Sequence, residues 1–394
     1  MKVYLDNSAT TAVDKEVLEA MLPYFSDIYG NPSSLHSFGR QALKAVDESR
    51  QKIAALLGAK PNEIYFTSGG TESDNWAIKG AVRASKNKRR QVITSAIEHP
   101  ALLETCEALE KSGEAEVTYL KVNKEGLVDP ADVKKALNDD TVIVSIMTAN
   151  NEMGAIQPIS EIGEIVRGEG VLFHTDAVQA ADTLDLNVNA LNVDLLSLSA
   201  HKFHGPKGIG LLYMRSGVRL DRLINGGHQE RRQRAGTTNT PLIVGMAKAL
   251  EISVRDRERN VKHMTELRDY FIGRALNEIP YCYLNGGTER RLANNINLSF
   301  GFIEGEAILM SLDLKGIAVS SGSACSSGSL EPSHVLLALG VKEELAHSSI
   351  RFSLGRDTTK EEIEYTINTL KEIVDRLRGM SPLFNIEKRT GSYV

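Results

Sequence analysis

Two periodicities divide the chain. Through its first two-thirds, short apolar and β-branched runs recur at 63–68 (EIYFTS), 91–96 (QVITSA), 116–122 (EVTYLKV), 141–149 (TVIVSIMTA), 171–177 (VLFHTDA), 194–200 (DLLSLSA) and 208–214 (GIGLLYM). Between several of them lie amphipathic stretches with helical spacing, such as ESDNWAIKGAVRASK at 72–86. Strands alternating with helices predict an α/β domain on a doubly wound, mainly parallel sheet, whose ligands collect at the carboxyl ends of the strands. From about residue 241 long helical patterns take over, then the strand-like NNINLSF and SSIRFSL, then a last helix TKEEIEYTINTLKEIVDRLRG. This predicts a smaller α+β domain. The tail NIEKRTGSYV (385–394) has no periodicity and is expected to be disordered.

Composition narrows the partners. At 394 residues and 42% apolar content the chain has material for about two to three domains with an ordinary core. A net charge of −5 gives no general attraction to nucleic acid or to an anionic membrane. Of two local basic patches, KNKRR (86–90) reads as a solvated turn, and QERRQRAGTT (229–238) needs another explanation. Cysteines at 106, 282 and 325 are odd in number and form no CxxC, which argues against a disulfide framework or a zinc site and for a reducing, cytoplasmic setting. No stretch approaches the ~18 apolar residues of a membrane span, and the N-terminus has no signal-like apolar region.

Three stretches carry chemistry. TSGGTESDN (67–75) places Gly69, Gly70 and Thr71 between a strand and a helix start, where bare N–H groups can cradle a phosphate, although such a turn also serves as a plain helix cap. It lacks the spacings of nucleotide loops. Asp176 and Lys202 each end a strand-like run, His201 adjoins the lysine and Gln179 follows the aspartate. An acid in so apolar a setting needs a cationic partner. That partner is either Lys202 itself, as a salt bridge, or the protonated ring of a pyridoxal phosphate carried on Lys202. The third stretch, SSGSACSSGS (320–329), sets Cys325 among serines and glycines, a composition that alone would mean only a flexible connection.

Ten stretches in order, YLDNSATT (4–11), YGNPSSLHSFG (29–39), TSGGTESDN, EHPA (98–101), ANNEMGAIQP (149–158), HTDAVQ (174–179), SAHKFHGPKG (199–208), GGHQE (226–230), SSGSACSSGSLEPSH (320–334) and SSIRFSLGR (348–356), resemble the signatures of the NifS/IscS cysteine desulfurases. These belong to the class V aminotransferase family of fold-type I pyridoxal phosphate enzymes. The resemblance runs from residue 3 to about 382. It implies a large cofactor-binding α/β domain at 14–258, and a small α+β domain from 1–13 and 259–384 carrying a mobile Cys325 loop. It makes Lys202 the Schiff-base lysine, Asp176 the partner of the ring nitrogen, His99 the ring-stacking residue and Gln179 the contact to the phenolic oxygen. Asn151 lies by ring and substrate, and Gly70, Thr71, Ser199 and His201 hold the phosphate. Thr237 reaches the neighbouring subunit's phosphate, which implies a homodimer with shared active sites and gives the Arg-rich 229–238 stretch an interface role. This chain departs from the family's usual spelling at Ala235, commonly Ser, which touches the Thr237 assignment.

Beside that resemblance, Cys325 reads as the nucleophile that takes sulfur from L-cysteine, leaving L-alanine, and passes it to an iron–sulfur scaffold or other acceptor protein. A Ser/Gly segment of about ten residues spans roughly 17–19 Å, enough to move between a buried cofactor and a docked partner. Arg351 suits the substrate carboxylate, with Asn31 and His36 near the substrate mouth or as simple loop caps. His99 is expected to help deprotonate Cys325, and Lys202 to move the α-proton. No resident metal is expected: His201 and His204 have no third ligand nearby, although Cys325 could transiently ligate a cluster. Cys106 and Cys282 read as packing residues. The alternatives are a selenocysteine lyase, an aminotransferase, which has no use for Cys325, or a catalytically silent scaffold, which has none for the four residues Lys202, Asp176, Arg351 and Cys325 together.

Overall fold

The computed structural model describes residues 1–86, 89–321, 331–382 and 384, so Cys325 and the 385–394 tail lie outside the described residues. All seven apolar runs form one sheet, in the order Ile64–Thr67, Gly210–Met214, Leu195–Ser199, Leu172–Asp176, Thr141–Ser145, Gln91–Ser95 and Glu116–Leu120. Its neighbours are parallel except Gly210–Met214, which is antiparallel to both of its own.

The alternation of side chains along each strand divides two cores. Phe66, Ile93, Val144, Phe173, Leu196 and Leu211 face one side, against helices Ser37–Leu57, Ile159–Gly168 and the first turns of Thr240–Glu278. Tyr65, Val92, Ile143, Leu195 and Leu212 face the other, against Gly70–Ala84 and Pro100–Lys111. Adjacent residues thus serve opposite layers, as the two-residue period requires. With helices on both faces, Leu195–Ser199 and Gly210–Met214 are buried along their whole length, which is why Gly210–Met214 reads as an unbroken apolar run and Leu195–Ser199 admits only the small Ser197 and Ser199.

The helix Thr240–Glu278 carries the chain from this unit into the next. Ile243, Met246 and Leu250 pack on the large core, whereas Met264, Leu267, Phe271 and Ala275 belong to a second core. Residues 258 and 259, where the sequence divides the chain, therefore fall inside one continuous helix. The second core is built on an antiparallel sheet ordered Ser320–Ser321, Ser349–Ser353, Asn295–Phe300 and Cys282–Leu284, covered by the helix Lys360–Met380. Val3–Tyr4 pairs in parallel with Ile317–Ala318 on the same core. The chain then passes by Asp6, bridged to Ser353, towards the carboxyl ends of the large sheet. Among the described residues no helix is long and apolar enough to cross a membrane.

Candidate active site

The turns that follow the parallel strands enclose a cavity of about 570 Å³, closed on one side by the N-terminal stretch at Ala9 and Thr10. Nine expected residues line it: Gly70, Thr71, His99, Asn151, Asp176, Gln179, Ser199, His201 and Lys202. They come from five separate segments, so the fold alone brings them together.

One end of the cavity is an anion cradle. Helix Gly70–Ala84 starts there, and its first-turn N–H groups and dipole favour negative charge. Gly70 is required by packing: a Cβ there would stand 2.7 Å from Val178 Cγ2. Glu72, in the same turn, would repel an anion, but Arg234 grips it with Nε and Nη2 at 2.8 and 3.0 Å. Burial raises the Glu72 pKa, and the bonds from Arg234 and Ser68 outweigh it, leaving the carboxyl below its ordinary value. The Arg-rich stretch is thus locked onto the cradle. Lys207 adds a second lysine to its wall. His201, pulled down to about 4 by burial and by the charges of Lys202 and Lys207, is neutral at pH 7 and meets Thr10 Oγ1 at 3.2 Å.

The floor holds Asp176, whose Oδ1 accepts the Val178 N–H at 2.8 Å. Burial pushes its carboxyl up to about 6, against the Val178 bond and the Lys202 charge. Beside it Asp74 is raised well above the carboxylate range by burial and by Asp176, and its Oδ1 has no hydrogen-bond partner. His174 meets Ser145 Oγ at 2.7 Å and Ser197 Oγ at 3.0 Å, and burial lowers it to about 3, so it brings no charge to balance the two acids. Lys202 Nζ donates to the carbonyls of Ser8 at 2.5 Å and Ala9 at 2.9 Å, and Gln179 Nε2 shares the Ser8 carbonyl at 3.0 Å. A protonated aromatic nitrogen above Asp176 and a phosphate in the cradle would satisfy what this donor set leaves open, so the residues fit pyridoxal phosphate.

His99 caps the helix Pro100–Lys111, its Nδ1 accepting the Ala101 N–H at 3.1 Å. Burial, then Lys202 and His334, lower it to about 4. The ring is therefore neutral at pH 7 with its proton on Nε2. Accepting a thiol proton from Cys325 would require Nδ1 to release that cap. The neighbouring Glu98, pushed up to about 8 by burial, holds Ser95 Oγ at 2.5 Å and the Met147 N–H at 3.0 Å on Oε1.

Four expected residues stand elsewhere. Arg351 is fully buried behind the wall, Nη1 on the Asn151 carbonyl and Nη2 on Asp6 Oδ1, each at 3.0 Å. Asn31 Oδ1 accepts the Ser33 N–H at 2.9 Å, and His36 Nδ1 caps the helix Ser37–Leu57 through the Gly39 N–H at 3.3 Å. Neither lines the cavity. Thr237 is exposed outside it. Cys325 lies outside the described residues. Cys106 and Cys282 are buried free thiols, each pushed up to about 12 chiefly by burial, and are not nucleophiles at pH 7. His204 points away, Nδ1 on the Ala12 carbonyl at 3.1 Å.

Sequence reasoning passed over Asp74, His174, Glu98 and Lys207. Two had a readable signal: His174 precedes Asp176 by two positions on one strand and so shares its face, and Asp74 follows Gly70 by one helical turn.

The family model described as Aminotransferase class-V matches residues 3–366. The "Cysteine desulfurase IscS" of Dictyoglomus turgidum is 55% identical over 381 residues, covering 97% of this chain and 96% of that protein. Among solved structures, a "NIFS-LIKE PROTEIN" superposes with a TM-score of 0.90 at 41% identity, over 96% of this chain and all of that one. A structure titled "SspA in complex with cysteine" gives 0.80 at 38%, over 91% of this chain and all of that one.

Proposed function

Because the chain belongs to the class-V aminotransferase family, in its branch of NifS/IscS-type cysteine desulfurases, we propose that it takes the sulfur of L-cysteine onto Cys325, with pyridoxal 5′-phosphate as resident cofactor. The observation that carries this reading is the single cavity that joins an anion cradle, a buried carboxylate, a strand-end lysine and a helix-capping histidine. When bound, the cofactor supplies an electron sink for the substrate's α-carbon.

The chain's own residues do the rest. Lys202 would anchor the cofactor and carry the α-proton once released from the Ser8 and Ala9 carbonyls. Asp176 would keep the ring nitrogen protonated, Gln179 would contact the phenolic oxygen, and Gly70, Thr71, Ser199 and His201 would hold the phosphate. His99 would stack on the ring, with its proton on Nε2. Arg351 takes the substrate carboxylate, which competes there with Asp6, and Asn151 orients the bound amino acid. The step balances without an added oxidant: the substrate Cβ–Sγ bond breaks, Cys325 Sγ bonds to that sulfur, and Cβ receives a proton, so cysteine plus thiol gives alanine plus persulfide. The sulfur then leaves to an iron–sulfur scaffold or another acceptor protein. Free thiols without a disulfide framework fit a cytoplasmic setting.

Brief exposure to cysteine should add one sulfur per chain, removable by dithiothreitol, on the peptide of Cys325 and not on those of Cys106 or Cys282. Cys325→Ser should keep the cofactor's spectral response to cysteine yet make almost no alanine, because a hydroxyl is a poor nucleophile at neutral pH. Sulfur mapping elsewhere, or alanine at the parental rate, would overturn the assignment.

A further inference from the structure

The strand Ile64–Thr67 is an outer edge of the large sheet, so among the described residues no neighbouring strand meets its Phe66 N–H and Ile64 carbonyl. Side chains meet them instead. Glu230 Oε2 accepts the Phe66 N–H at 3.1 Å, and Arg231 Nη2 donates to the Ile64 carbonyl at 2.8 Å while its guanidinium stands 4.1 Å from the centre of the Tyr65 ring. Arg50, from the helix Ser37–Leu57, binds both Glu230 oxygens at 2.8 Å and shares the Ile64 carbonyl at 2.6 Å. With side chains only 10% and 7% exposed, Arg50 and Glu230 form a buried anchor and not a surface pair.

The turn that presents Glu230 is strained. Glu230, Arg231 and Arg232 have φ of 43°, 55° and 68°, three successive non-glycine residues in the left-handed region, where Cβ crowds the carbonyl oxygen. Such a turn persists only where its surroundings over-determine it, and Arg50, Ile64 and Phe66 supply that determination. It closes with the Gln233 N–H on the Glu230 carbonyl at 3.0 Å, and the next residue is Arg234, the side chain that covers Glu72 in the anion cradle. The bond to Glu72 raises the Arg234 pKa against burial, and the charges of Glu72 and Glu230 add to it. Glu72 Oε2 also accepts the Ser68 N–H at 2.7 Å, two residues beyond Phe66. These two partners of Glu72 thus lie within four residues of the anchor on either side.

We propose that Glu230 is a positioning residue for the cofactor's phosphate: pinned by Arg50 to the edge strand, it holds the left-handed turn in place, so that Arg234 stays on Glu72 and the cradle presents no bare carboxylate to an anion. Glu230 does not line the cavity, so it acts only through Arg234 and Glu72. This inference rests on the cofactor reading above. Without Glu230 nothing holds three left-handed residues against their strain, and the turn relaxes, taking Arg234 with it. Glu72 then stands uncovered in the first turn of Gly70–Ala84, where its charge opposes the attraction that the helix start offers a phosphate. Dependence on Glu72 is what separates this clamp from a merely structural ion pair.

The test uses the full chain freed of its cofactor and titrated with two probes, pyridoxal phosphate and pyridoxal, which lacks the anion. Glu230→Ala should weaken binding of pyridoxal phosphate roughly 10-fold or more and leave pyridoxal within about twofold of the parent. Adding Glu72→Gln to that variant removes the charge that Arg234 had covered and should restore most of the lost affinity. Removing one member of a buried pair can prevent folding, so Arg50→Met with Glu230→Leu, which removes both charges together, is the second variant and should show the same phosphate-selective loss. Parental affinity in these variants, an equal loss for both probes, or no recovery with Glu72→Gln would overturn the clamp. A parent that binds pyridoxal phosphate no better than pyridoxal would overturn the cradle itself, and the clamp with it.

Discussion

Asp176 shows how one side chain can oppose folding and serve chemistry. Its folded-state pKa is raised from 3.8 to about 6, chiefly by burial, so the folded chain binds its proton more tightly than the unfolded chain. The contribution is then full below the unfolded value and is lost as pH rises towards 6. Asp176→Asn removes that loss. In the cofactor-free protein the melting temperature of the variant relative to the parent should rise between pH 4 and pH 8, while turnover of the loaded enzyme falls at least ~100-fold. A pH-independent difference, or activity within twofold, would make Asp176 a structural partner. Asp176 and Lys202 were legible in the sequence because each ends an apolar run with a residue type that such a run cannot carry cheaply. Asp74 was legible only in its placement one helical turn after Gly70: on a helix of mixed polarity, nothing in TSGGTESDN distinguishes a buried acid from a solvated one. The tautomer of His99 was not legible either, because it depends on the cap geometry that turns Nδ1 onto the Ala101 N–H.

At the scale of elements, the seven strands were readable because sheets covered on both faces need unbroken apolar runs and short polar punctuation. Less legible were contacts between distant segments. Ser333 and Glu152 are 181 positions apart, and Arg351 reads as a free arginine until Asp6 and the Asn151 carbonyl are found on it. The phosphate cradle lies between these cases, since its glycines were visible but their necessity was not. Gly70 has no left-handed backbone to excuse it; the reason is Val178 Cγ2, 2.7 Å from any added Cβ. Gly70→Ala should therefore push the helix start away from the cradle without unfolding it. We expect affinity for pyridoxal phosphate to drop about 10-fold or more with a melting temperature within a few degrees of the parent's, read by fluorescence titration of the cofactor-free protein. Unchanged affinity would mean that the N–H groups of this turn do not hold the phosphate.

The whole molecule leaves one surface unexplained by a single chain. Leu18, Leu22, Phe25, Tyr29, Leu35, Phe38 and Leu43 are all exposed, Leu35 at 91%, within the first tenth or so of the sequence. Scattered apolar residues need no explanation, but a run of this density marks an interaction surface. Thr237, expected to serve a neighbour's phosphate, is likewise exposed, while Arg234 three residues earlier is fixed to the cradle through Glu72. Both facts are met if a second copy of the chain covers the N-terminal patch and receives Thr237. The parent should then sediment at twice the 43.1 kDa chain mass. A double substitution, Phe25→Asp with Leu35→Asp, places charge where a lone chain is already solvated, so it should cost the isolated fold little, within about 0.5 kcal/mol per site. At an interface the same charges would be desolvated and unpaired, and the variant should sediment as a single chain. Because the cradle would then lack its outside hydroxyl, pyridoxal phosphate should also bind more weakly, although every residue lining the cavity is unchanged. A variant that stays at twice the chain mass, or a parent that runs as one chain, would show that the exposed patch serves something other than a second copy.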